Sequence, residues 1–120
     1  MKKILFITIT ILSSYLSNSQ SCEKMMKLVK SESYGTTYSS YTSDAISKVT
    51  FYDVTIDYKY YYFAIVCFKT EYYGCNEYIY QVASNTKMNY SINYYDSAGK
   101  AFWKYIQPYN ETLECAPDFD

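Results

Sequence analysis

Four cysteines, Cys22, Cys67, Cys75 and Cys115, constrain this 120-residue chain more than any other feature. An even count in a small chain from an oxidising compartment implies two disulfides, and four cysteines allow three pairings. The middle two lie in the segment YKYYYFAIVCFKTEYYGCNEYIYQV, residues 58–82. Strand-like runs flank TEYYG, which reads as a hairpin turn carrying Gly74. If Cys67 faces Cys75 across that hairpin, Ala64, Val66, Phe68, Tyr78 and Tyr80 fall on one face. Cys67, Cys75, Ile65 and Ile79 fall on the other, because side chains alternate along a strand. Opposed antiparallel positions lie within disulfide reach. One covalent bond and one hydrophobic pattern therefore agree on a single alignment. Cys22 and Cys115 remain, and their pairing would tie the N-terminal segment to the C-terminal tail. A zinc or redox-active site would favour CxxC spacing, which is absent.

The N-terminus supplies the oxidising compartment. Lys2 and Lys3 precede the apolar run ILFITITIL, residues 4–12. That run is too short for a bilayer, which needs about 20 residues. The polar stretch SSYLSNSQ follows, with small Ser17 and Ser19 placed for cleavage between Ser19 and Gln20. This is the three-part pattern of a secretory signal peptide over residues 1–19. The expectation is a secreted or periplasmic protein with no transmembrane span once processed. Lipoprotein processing at Cys22 is a rival, but it would want an apolar residue where Ser19 stands. Removing Lys2 and Lys3 takes the formal charge from −1 to about −3.

What the chain lacks narrows its chemistry. It has no histidine, and all 11 of its basic residues are lysine. Ser-His-Asp and Cys-His catalysis are therefore excluded, as is an imidazole metal ligand. No guanidinium fork is available for phosphate or guanine. No paired carboxylates stand out, so the reading is a non-enzymatic chain with no cofactor and no metal.

Residues 20–40 read as an amphipathic helix over 22–33, ended at Tyr34-Gly35, and then a polar linker, TTYSSYTSD. Ile46–Ile56 is strand-like, with Val49 and Phe51 on one face and Tyr52, Val54 and Ile56 on the other. Asp57-Tyr58-Lys59 reads as its turn. Residues 60–69 and 76–82 complete a three-stranded meander. Helical spacing of Met88, Ile92 and Tyr95, then of Phe102, Trp103 and Ile106, predicts a helix over 85–107. It is interrupted at Ser97-Ala98-Gly99 and stopped by Pro108. The expected fold is α+β, a three-stranded antiparallel meander on a C-terminal helix pair. An N-terminal helix and two disulfides are additional, and residues 110–120 form a tail.

Several positions in order carry a family resemblance across residues 41–109. Ser43 and Ile46 precede Val49, and Ala64-Ile65-Val66-Cys67-Phe68 forms a second strand. Tyr78-Ile79-Tyr80 stands at the centre, and Ser97, Gly99, Lys100, Phe102, Trp103 and Ile106 close the pattern. This set resembles the KTSC domain, which is named for the C-terminus of some lysyl-tRNA synthetases and also occurs as a single-domain bacterial protein. The resemblance makes Tyr78, Tyr80, Ser97, Gly99, Lys100 and Phe102 the motif positions. It also implies RNA or single-stranded nucleic-acid binding as an alternative function. An acidic, arginine-free chain lacks the basic footprint that drives nucleic-acid affinity. A protein or an envelope component is the better-matched partner. The register places Tyr78 and Tyr80 in the core rather than on a stacking platform. The opposite face, with Tyr61, Phe63, Ile65 and Ile79, is the candidate binding face unless the N-terminal helix covers it.

Overall fold

The computed structural model describes residues 18–117, so the signal sequence expected over 1–19 lies almost wholly outside the described residues. The elements in order are α1 (Asn18–Glu32), β1 (Thr36–Ser39), β2 (Ile46–Ile56), β3 (Lys59–Lys69), β4 (Cys75–Val82), α2 (Thr86–Asn93) and α3 (Ala98–Tyr105). A 3-10 turn (Gln107–Tyr109) and a one-turn helix, α4 (Asn110–Leu113), follow. The architecture is α+β. The sheet is antiparallel, with strand order β1-β2-β3-β4.

It has four strands, not three. The stretch TTYSSYTSD, expected to be a linker, contributes β1, which pairs Thr36–Ser39 with Phe51–Lys48 of β2. Its apolar content is one inward residue, Tyr38, which is too little for alternation to register. The backbone enters at Gly35, which lies against β2: a Cβ there would sit 2.3 Å from Thr50 Cγ2. Only glycine permits that approach.

β2 carries a register shift between Ile46 and Lys48. The extra residue lets Ile46 and Val49, three apart, both face the α2–α3 layer. The β2–β3 turn is two residues, Asp57 and Tyr58, at φ 51° and 68°. That is the left-handed pair a two-residue hairpin requires, where Asn-Gly or Asp-Gly is usual. Tyr58 is fully exposed, so it brings the steric cost and no contact in return. Tyr58→Gly is expected to raise stability by about 0.5–1 kcal/mol, part of the relief being offset by glycine's freedom in the unfolded chain. An unchanged or lower urea midpoint would contradict this.

The β3–β4 register differs from the expected one by two residues. Cys75 pairs with Lys69, and Cys67 with Glu77. Gly74 takes φ +112° and closes the loop instead of pairing in the ladder. Thr70 caps that loop, its N–H donating to Gly74 O at 3.3 Å. A slip of two preserves every face, so the core assignment survives the error. Cys67 and Cys75 lie diagonally on one face, Cα atoms 5.3 Å apart, and are bonded. Cys22 and Cys115 form the second disulfide, Cα atoms 5.7 Å apart.

Two hydrophobic layers result. On one face Val49, Phe51, Ala64, Val66 and Tyr80 meet Tyr90, Ala98, Ala101, Phe102 and Ile106 of the helical layer. On the other, Val54, Phe63, Ile65 and Ile79 meet Val29 of α1, with Met25 and Met26 at the margin. β3 is apolar on both sides because both sides are covered.

α2 does not present the expected side. Met88, Ile92 and Tyr95 are exposed, and the inward residues are Thr86 and Tyr90. Both sets have helical spacing. Thr86 is drawn in because its Oγ1 accepts the Ala83 N–H at 3.1 Å, which clamps the corner after β4. Trp103, expected to be core, is about half exposed, while Phe102 is buried.

Candidate binding recess at the start of α3

The sheet face formed by Tyr61, Phe63, Ile65 and Ile79 is not available for binding in this fold. Phe63, Ile65 and Ile79 are buried and Tyr61 is partly so. α1 lies over them, held by the Cys22–Cys115 bond and by Lys30 Nζ, 2.8 Å from Glu77 Oε1. Amphipathicity placed an apolar stripe on α1, and this face is what that stripe needed.

Of the positions that the KTSC resemblance singles out, Tyr78, Tyr80 and Phe102 pack in or against the core and Ser97 caps a helix. Tyr80 is fully buried, with Phe102 edge-on at 5.6 Å between centroids. Tyr78 is partly buried and packs on Phe68 at 5.8 Å. Ser97 caps α3, its Oγ accepting the Lys100 N–H at 3.1 Å. Gly99 is partly exposed and Lys100 exposed. Burial raises the Tyr80 hydroxyl well above the tyrosine value of 10.0, and the neighbouring Tyr78 raises it further.

A recess of about 510 Å³ opens where the β1–β2 loop meets the α2–α3 turn, lined by residues 39–45 and 94–99. Both walls are fixed by hydrogen bonds. In the loop, Ser40 N–H donates to Ser47 O at 2.9 Å, and Ser43 Oγ accepts the Ile46 N–H at 3.1 Å. Lys69 bonds the same loop twice, through its N–H to Ala45 O and its Nζ to Ser43 O. In the turn, Asn93 Nδ2 donates to Asn89 O at 2.7 Å, and Asp96 N–H donates to Asn93 O at 3.2 Å.

A run of rings leads from the core to the recess. Phe51 meets Tyr90 at 5.6 Å, Tyr90 stacks on Tyr94 at 5.6 Å, and Tyr94 meets Tyr95 at 4.7 Å. Offset and edge contacts of this kind hold rings in place. Tyr95 at the end is 81 % exposed, and Tyr41 on the opposite wall is 91 % exposed. Burial pushes the Tyr90 hydroxyl up to about 12; the nearby Ser40 hydroxyl opposes that rise, and Tyr94 adds to it. Ser40 Oγ does not close a hydrogen bond of normal length, although the residue is only 8 % exposed. The Tyr94 hydroxyl is raised above 10.0 chiefly by its hydrogen bond with Tyr95.

Of the recess, the sequence marked Ser43, Ser97 and Gly99 through the family pattern, Tyr95 through helical spacing and Ala98 only as part of a helix break. The rest lies in two polar stretches, SSYTSDA and YYDSAG, far apart in the chain. Nothing local in either announces the other. Among the described residues no cluster of His, Cys, Asp or Glu could hold a metal ion. No helix among them is long and apolar enough to cross a membrane. No family model, no curated protein and no solved structure matches the chain.

Proposed function

We propose that the chain is a small exported domain that binds a protein or envelope component through the recess at the start of α3, without catalysis. The observation that carries this reading is the recess itself. It is concave, and hydrogen bonds tie both walls to the fold. It presents exposed tyrosine rings, while both sheet faces are already covered. Pockets of about 300–1,000 Å³ with a few converging polar groups are the usual form of a binding site. Export rests on the signal-like residues 1–19, and two disulfides are compatible with an oxidising compartment. Membership of the KTSC family belongs to the same proposal, with Tyr80 and Phe102 as core and Ser97 as helix cap.

The test is retention of envelope components on the immobilised, oxidised protein, compared with a Tyr41→Ala/Tyr95→Ala variant. Both side chains are exposed, so the variant is expected to fold. Material held by the parent and lost from the variant is the expected result. Equal retention by both would remove the recess as the site. A gel shift with single-stranded RNA at low salt is expected to be negative, since no arginine is present and the net charge is negative.

A further inference from the structure

We infer that the recess takes a neutral saccharide, a proposal that rests on the binding reading above and gives its ligand a chemical class. Three features of the lining converge. The first is aromatic. Tyr41 and Tyr95, one on each wall, are 91 % and 81 % exposed, and Tyr95 is braced from behind by Tyr94 at 4.7 Å. A braced ring with a free face suits the C–H face of a pyranose, which is flat and weakly polar.

The second is the kind of polar group. The walls supply short hydroxyls and carboxylates, Ser43 and Asp44 from the loop and Asp96 and Ser97 from the turn. The first-turn N–H groups of α3, at Ala98 and Gly99, have no intrahelical acceptor. Donors and acceptors are therefore mixed within one cavity. Ligand hydroxyls, which donate and accept together, match such a mixture better than a carboxylate or phosphate does. Ser40, on the same wall, is more than nine-tenths buried and its hydroxyl lies beside that of Tyr90, so it adds nothing to the open lining.

The third is charge. No lysine lines the recess, while two carboxylates do. An anionic ligand would meet Asp44 and Asp96, and the nearby Lys69 ammonium is already engaged by Ser43 O. Nucleotides and phosphorylated sugars are thereby disfavoured. The N-terminal dipole of α3 tempers the carboxylates, so the lining gives no strong preference for a cation either.

Amide chemical shifts of the full, oxidised protein will decide the matter. The probes are the neutral tetrasaccharides of β-1,4-linked N-acetylglucosamine, β-1,4-linked glucose and α-1,4-linked glucose, each raised to 10 mM. Spermidine is the cationic control and inorganic phosphate the anionic one. The expected result is a saturable shift confined to residues 39–45 and 94–99 with at least one saccharide, weakened at least tenfold by Tyr95→Ala. Absence of a shift with all three saccharides overturns the proposal. So does a larger effect of spermidine or phosphate on the same residues. A Tyr95-dependent envelope protein recovered without any saccharide shift would overturn this inference and leave the binding function in place.

Discussion

Replacing Cys22 and Cys115 by serine is expected to destabilise the protein by about 2–5 kcal/mol and to strip the cover from one face of the sheet. The bond joins positions 93 residues apart, against eight for Cys67–Cys75. Chain-entropy reasoning gives about 4–5 kcal/mol for closing the longer loop and about 2.5 for the shorter. The longer bond also does something local. α1 spans 15 residues, of which the expected cleavage after Ser19 leaves only residues 20–32, a length at which an isolated helix is marginal in water. Its other attachments are Val29, two partly buried methionines and the Lys30–Glu77 pair. That pair is more than a third exposed and contributes at most about 1 kcal/mol. Without the tether, α1 is expected to fray and expose Phe63, Ile65 and Ile79. Urea midpoints and binding of an apolar dye to the folded variant measure the two effects separately. A folded variant that binds no more dye than the parent would show that packing alone holds α1. Cys67→Ser/Cys75→Ser should lose less stability and keep the cover.

Tyr80 is expected to split by substitution. Tyr80→Ala removes a fully buried ring between the sheet and Phe102 and should cost about 3–5 kcal/mol. Tyr80→Phe keeps the ring and deletes a buried hydroxyl that has no hydrogen-bond partner. An unsatisfied group of this kind costs about 1–3 kcal/mol, so the phenylalanine variant should match or exceed the parent by about 1 kcal/mol. A loss of more than 1 kcal/mol would mean the hydroxyl is satisfied after all. The two proteins should also part at high pH. The folded-state pKa of Tyr80 is raised above its unfolded value near 10. Its contribution is therefore complete below pH 10 and is lost as the pH rises above it, because the unfolded chain ionises first. In that range the slope is about 1.4 kcal/mol per pH unit for each such group. Tyr90 acts with the same sign, between pH 10 and about 12. Tyr94, raised through Tyr95, adds in the same sense, so Tyr80→Phe should remove one of three contributions to the slope. Identical alkaline limbs in urea titrations at pH 9–11.5 would contradict the assignment.

Most of the layering was legible because period-two alternation survives a sliding register. Val66 and Tyr80 sit on the expected face although the β3–β4 pairing moved by two residues. The register itself depended on Gly74, whose φ of +112° no neighbouring residue advertises. β1 escaped notice because a four-residue edge strand with one inward side chain has no period to read. The orientation of α2 was hidden because two stripes, Met88–Ile92 and Thr86–Tyr90, both fit a helix. Thr86 decided between them through a hydrogen bond rather than through hydrophobicity. The recess was the least legible feature, since its two walls meet only after the sheet is folded and the helices are docked.

The Cys22–Cys115 bond has a mechanical consequence as well. Tension applied upstream of residue 22 and downstream of residue 115 passes from one sulfur to the other. Everything between them hangs as an unloaded loop. Strands β1–β4, helices α2 and α3 and the recess would feel none of that pull. A pull between the two ends of the processed chain would therefore leave the recess in its folded shape.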